Sequence, residues 1–118
     1  MSNKQVLVVE DDSNIREVLK LALEFEGYEV ILAKNGREGL DMLPSSKPGL
    51  ILLDLMMPVM NGWEFVEEIK KHPEYKSIPI VVVSAYSERA KAIECNKFVQ
   101  KPLELDTLLQ AVSENFKE

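Results

Sequence analysis

Asp54 is a carboxylate set in one of the most apolar stretches of the chain. Gly49-Leu50-Ile51-Leu52-Leu53 lead into it and Leu55-Met56-Met57-Pro58 follow. An ionised carboxylate is costly to bury unless its charge is compensated. A second acidic cluster, Glu10, Asp11 and Asp12, ends the apolar run Val6-Leu7-Val8-Val9. Two strand-like runs that both finish in carboxylates point to one shared acidic site. Converging carboxylates repel one another, so they either bind protons or enclose a cation. Oxygen ligands without His or Cys favour Mg²⁺, which takes one or two carboxylates, keeps waters and also binds phosphate oxygens. Ser84 and Lys101 end two further apolar runs. A hydroxyl and an ammonium there can each hold a phosphoryl oxygen, an arrangement that stabilises a phosphoryl group in transfer. Asp54 can accept the group, because carboxylates form acyl phosphates in some enzymes.

Singly, each of these residues has a plainer reading. A strand-end Asp is commonly a turn residue, and Asp12 suits a helix cap. Ser84 can bond backbone, and Lys101 can be a surface lysine before Pro102. Convergence on one edge of one sheet favours the functional reading, and that depends on the elements carrying them. Val6–Val9, Leu50–Leu53 and Ile80–Val83 are short continuous apolar runs, the signature of strands buried on both faces. Tyr28–Leu32 reads as a more polar strand near an edge, and Phe98–Gln100 as a short fifth one. Between them lie helical patterns. Ile15, Val18, Leu19, Ala22 and Phe25 recur at helical spacing after Asp12 or Ser13, and Gly27 stops that helix. Asn35-Gly36 opens a helix expected to end before Pro44. Asn61-Gly62 precedes a helix with Phe65, Val66 and Ile69 inside, ended by His72-Pro73. Glu88–Glu94 is a short helical stretch, and Leu105, Leu108, Leu109, Val112 and Phe116 mark the last helix. Five βα units predict an α/β fold with a parallel sheet and helices on both faces. In such sheets the functional crevice lies at the carboxyl ends of the strands, where Glu10, Asp11, Asp54, Ser84 and Lys101 all fall.

The 118 residues suit one domain spanning 1–118. A net charge of −6 argues against nucleic acid and anionic membrane surfaces as partners. One cysteine, Cys95, excludes an internal disulfide. Neither a signal-peptide pattern nor a membrane-length apolar run is present, so the expected location is cytoplasmic.

Along its whole length the sequence resembles the receiver domain of bacterial two-component response regulators, of the single-domain type. The most specific motif is Asp54-Leu55-Met56-Met57-Pro58-Val59-Met60-Asn61-Gly62, joined by Glu10-Asp11, Ser84-Ala85 and Lys101-Pro102. The spans from Asp11 to Asp54 and from Asp54 to Ser84 also suit the family. The resemblance implies a flavodoxin-like (βα)5 doubly wound sheet of strand order 2-1-3-4-5. It implies that Asp54 accepts a phosphoryl group from a sensor histidine kinase or a histidine phosphotransfer protein. Asp11, Asp54 and the Met56 backbone carbonyl would ligate Mg²⁺, with Glu10 acting through water. Lys101 would pair with the phosphoryl group and Ser84 would donate to it. Phe98 matches the switch aromatic, and the Lys101-Pro102 peptide is expected to be cis.

The chain departs from the family pattern between Ser84 and Lys101, which is shorter than usual by about one helical turn and shortens the fourth helix. Phe98 lacks the hydroxyl of the commoner Tyr, so it reports packing only. Met56 and Tyr86, two residues after Asp54 and Ser84, flank the path of the hydrolytic water in the family. Their bulk predicts slow autodephosphorylation. The expected protein is a monomer or weak dimer that is not itself an enzyme and signals to an unknown downstream protein by contact, since no output segment follows Glu118. A phosphorelay intermediate is the alternative within the same chemistry. From another class, a Mg²⁺-dependent phosphatase of the haloacid dehalogenase type would need an Asp at position 56, where Met stands. An FMN carrier would need a phosphate loop where Glu10-Asp11-Asp12 would repel phosphate.

Overall fold

A computed structural model describes residues 4–55, 59–84, 97–100 and 104–116. β1 (Gln5–Val9), α1 (Ser13–Phe25), β2 (Glu29–Ala33), α2 (Gly36–Ser46), β3 (Leu50–Asp54), α3 (Gly62–Lys70), β4 (Ile80–Ser84), β5 (Lys97–Gln100) and α4 (Leu105–Asn115) follow one another along the chain. The five strands form one sheet in the order β2-β1-β3-β4-β5 with every pair parallel, which is the expected flavodoxin-like doubly wound arrangement. The expected helical stretch Glu88–Glu94, the shortened fourth helix of the family pattern, lies outside the described residues, as does the Lys101-Pro102 peptide.

Strands buried on both faces explain the continuous apolar runs. Leu7, Val9, Ile51, Leu53 and Val82 point to one face, where Leu43 of α2 and Phe65, Val66 and Ile69 of α3 cover them. Val6, Val8, Leu50, Leu52, Val81 and Val83 point to the other, beneath Leu19 and Leu23 of α1 and Leu108, Ala111 and Val112 of α4. Period-two alternation thus gives each strand two apolar faces and the sheet two cores. β2 lies at an edge, as its polarity suggests, and its register is Glu29–Ala33, one residue later than the sequence pattern. Tyr28 instead sets its ring 5.3 Å from that of Phe116.

Two helix expectations need correction. In α1 the buried side chains are Leu19 and Leu23, whereas Val18 is 50% and Phe25 90% exposed. Apolar residues also stand at Leu21 and Leu23, so α1 carries two overlapping apolar stripes, and the sheet takes the one through Leu19 and Leu23. In α2 the helix does not stop before Pro44 but includes it and runs to Ser46. Proline this near a helix end forfeits only one backbone donor. The carbonyls of the last turn are satisfied otherwise: the Ser46 hydroxyl donates to the Met42 carbonyl at 2.7 Å, and Lys47, in the left-handed region at φ 47°, donates its N–H to Leu43.

Candidate functional site

The site is set by register. Val9 of β1 lies beside Leu53 of β3, so the next residues on the two central strands, Glu10 and Asp54, emerge together at the carboxyl edge. Asp54 lies beside Val83 of β4, which brings Ser84 to the same edge, and Ser84 lies beside Gln100 of β5. Carboxylate oxygens of Glu10, Asp11 and Asp54 all lie within 4.8 Å of one another. Glu10 and Asp54 are only 3% and 5% exposed, Ser84 1%, while Asp11 is open to solvent. Asp54 and Glu10 are therefore largely desolvated, and Asp11 forms the outer lip.

The short turn after β1 holds this geometry through backbone bonds. Glu10 donates its N–H to the Ala33 carbonyl at the end of β2, at 3.0 Å. Its carboxylate accepts the Asp12 N–H at 3.2 Å. Asp12 caps α1, as expected, accepting the N–H groups of Asn14 at 2.8 Å and Ile15 at 3.2 Å. Arg16, one turn into α1, reaches back: its Nη1 donates to the Glu10 carbonyl at 2.8 Å and the Asp11 carbonyl at 2.9 Å. The residue types alone give no reason to single out Arg16. One signal was available: a cation near a helix N-terminus opposes the helix dipole and needs some other partner.

The segment after Asp54 is fixed by close approach. Asn61 and Glu64 form a reciprocal capping box at the start of α3, with bonds of 3.0 and 3.1 Å. The Gly62 N–H donates to the Leu55 carbonyl at 3.0 Å. A Cβ on Gly62 would meet the Leu55 Cα at 2.8 Å and the Asp54 carbonyl at 3.0 Å, so α3 can start here only without a side chain. Gly62→Ala is expected to destabilise the fold by about 2 kcal/mol by forcing these backbones apart, read as a lowered denaturant midpoint; an unchanged midpoint would show that the contact relaxes freely. Val59, at φ 70° and 79% exposed, holds a left-handed conformation in the connection to α3.

Of the residues singled out in the sequence, Glu10, Asp11 and Asp54 come together, with Ser84 at the end of the neighbouring strand. Phe98 is half-buried on β5, packed against the core on the α2–α3 face. Lys101, Met56 and Tyr86 lie outside the described residues. The donor set is all hard oxygen, which fits Mg²⁺ and excludes a thiolate or imidazole site among the described residues. No helix among the described residues is long and apolar enough to cross a membrane.

Known proteins resemble this chain over most of its length. The family profile described as "Response regulator receiver domain" matches residues 6–113. The response regulator MprA of Mycolicibacterium vanbaalenii is 37% identical over 110 residues, covering 89% of this chain and 47% of MprA. This chain thus spans about half the length of MprA. The polar-differentiation response regulator DivK of Brucella anthropi is 30% identical over 114 residues, covering 92% of this chain and 93% of DivK. Among solved structures, the chemotaxis protein CheY4 of Vibrio cholerae superposes with a TM-score of 0.89 at 31% identity, covering 98% of this chain and all of the other.

Proposed function

This chain belongs to the response regulator receiver domain family of two-component signalling, and from that membership we propose that Asp54 is its phosphoacceptor. The observation that carries this reading is the cluster of Glu10, Asp11 and Asp54 carboxylates within 4.8 Å at the carboxyl edge of a parallel sheet. Asp11 and Asp54, with the Met56 carbonyl, would hold Mg²⁺ directly, and Glu10 through water. When bound, the ion offsets the repulsion among the carboxylates and the charge of the incoming phosphate. Lys101 pairs with a phosphoryl oxygen. Ser84 donates to another and, with Phe98, carries the conformational response.

In the transfer itself an Asp54 carboxylate oxygen attacks the phosphorus of a phosphohistidine. The new P–O bond forms as the P–N bond breaks, and the imidazole nitrogen keeps the electron pair and takes a proton. The donor is a sensor histidine kinase or a histidine phosphotransfer protein, and residues 1–118 act as one cytoplasmic receiver unit. The protein works as a monomer or weak dimer and passes its signal to a downstream protein by contact.

A small acyl-phosphate donor with Mg²⁺ is expected to add one phosphoryl mass to the intact chain, and a chelator to prevent it. An adduct formed equally well in chelator would sink the metal-dependent site. Side chains at Met56 and Tyr86 slow the loss of that adduct by obstructing water in line with the P–O bond. The double variant Met56→Asn, Tyr86→Glu is expected to lose phosphate faster by on the order of tenfold, a barrier change of about 1.4 kcal/mol; an equal half-life would remove these residues from the account.

A further inference from the structure

Among the described residues, Arg16 is a cation whose side chain bonds to the backbone of the acidic turn. Its Nη1 holds the carbonyl oxygens of both Glu10 and Asp11, at 2.8 and 2.9 Å. Two of the three residues whose carboxylates form the acidic cluster are therefore clamped by one guanidinium nitrogen from the first turns of α1. Glu10 is pinned a second time by its own N–H on Ala33. Asp11 is exposed and lies past the end of β1, whose pairing with β2 and β3 stops at Val9 among the described residues. The carbonyl that follows its side chain is the atom Arg16 takes.

We propose that Arg16 is a positioning residue for divalent-cation binding: it fixes the Glu10–Asp11 backbone so that both carboxylates face Asp54 before any ion arrives. Outer groups that orient ligands in this way commonly matter to metal affinity on the order of tenfold or more when removed. Mg²⁺ demands near-ideal octahedral geometry, whereas Ca²⁺ accepts more ligands in flexible arrangements. Loosening the Glu10–Asp11 backbone therefore costs Mg²⁺ binding more than Ca²⁺ binding.

The inference rests on the metal-dependent reading above, and its test separates the two. Mg²⁺ and Ca²⁺ are each titrated calorimetrically into the unphosphorylated wild-type chain, Arg16→Met and Arg16→Lys, with melting curves as the folding control. Arg16→Met keeps the apolar stem and loses the donors; it is expected to bind Mg²⁺ on the order of tenfold more weakly while Ca²⁺ affinity falls less. Arg16→Lys, whose ammonium can donate to both carbonyls, is expected to recover most of the loss. Equal Mg²⁺ affinity in wild type and folded Arg16→Met would overturn the role of Arg16 and leave the acidic site standing. A parallel fall for both ions with no rescue by Lys would reduce Arg16 to a structural residue. A wild-type chain that binds no Mg²⁺ would overturn the site and this inference together.

Discussion

Asp54→Asn is expected to abolish phosphorylation. The substitution keeps the size of the side chain and replaces a nucleophilic carboxylate by an amide that cannot form an acyl phosphate. The position is the last of β3, 5% exposed, with Leu53 before it and Leu55 after it fully buried. The variant therefore cannot recruit a neighbour on its own strand, because the flanking side chains are apolar. Glu10 and Asp11 remain nearby, but they are fixed by the turn after β1 rather than by β3. With the small phosphodonor and Mg²⁺, the intact mass of Asp54→Asn should stay unchanged over times in which the wild type converts fully. The variant should also bind Mg²⁺ more weakly, since one of three convergent carboxylates is gone. Melting curves showing a folded variant make the loss attributable to chemistry. An adduct at the wild-type rate would mean that the acceptor lies elsewhere.

Phe65→Ala is expected to cost about 3–5 kcal/mol of stability. Phe65 is among the largest fully buried side chains and belongs to the core that joins α2 and α3 to the sheet. Its ring fills the space beside Gly39 of α2, where a Cβ would come within 3.0 Å of Cε1. Truncation opens a cavity between α2, α3 and the sheet, and both helix starts are tied to neighbouring backbone, the Gly36 N–H donating to the Met60 carbonyl and the Gly62 N–H to the Leu55 carbonyl. A loss of that size is a large share of the 5–15 kcal/mol typical of a domain. Urea unfolding followed by circular dichroism measures it, and a loss below about 1 kcal/mol would mean that the site collapses far more readily than core packing usually allows. α3 begins eight residues past Asp54, so the variant also loosens the element that closes the loop after the site.

Much of this was legible in the sequence for one reason. Central parallel strands are buried on both faces, so β1, β3 and β4 appear as unbroken apolar runs, and any carboxylate that ends one stands out. Asp54 and Glu10 were found that way, and register then brings them together without further information. The face of α1 was not legible, because apolar residues at Val18, Leu21 and Phe25 compete with Leu19 and Leu23 at the same helical period, and only the neighbouring helix and sheet decide between them. The continuation of α2 through Pro44 was not legible, because a proline one turn from the helix end removes one donor without ending the helix, and the last turn closes with the Lys47 N–H on the Leu43 carbonyl. Arg16 escaped for a different reason: its partners are backbone carbonyls, which every residue has.

The central claim is that the phosphoryl group resides on Asp54. Borohydride reduces an aspartyl acyl phosphate to homoserine and leaves free carboxylates untouched. The phosphorylated chain is reduced, digested and read by mass spectrometry. The account predicts homoserine at position 54 and at no other aspartate. Reduction at position 11, or a phosphoryl group that survives reduction on Ser84, would contradict it.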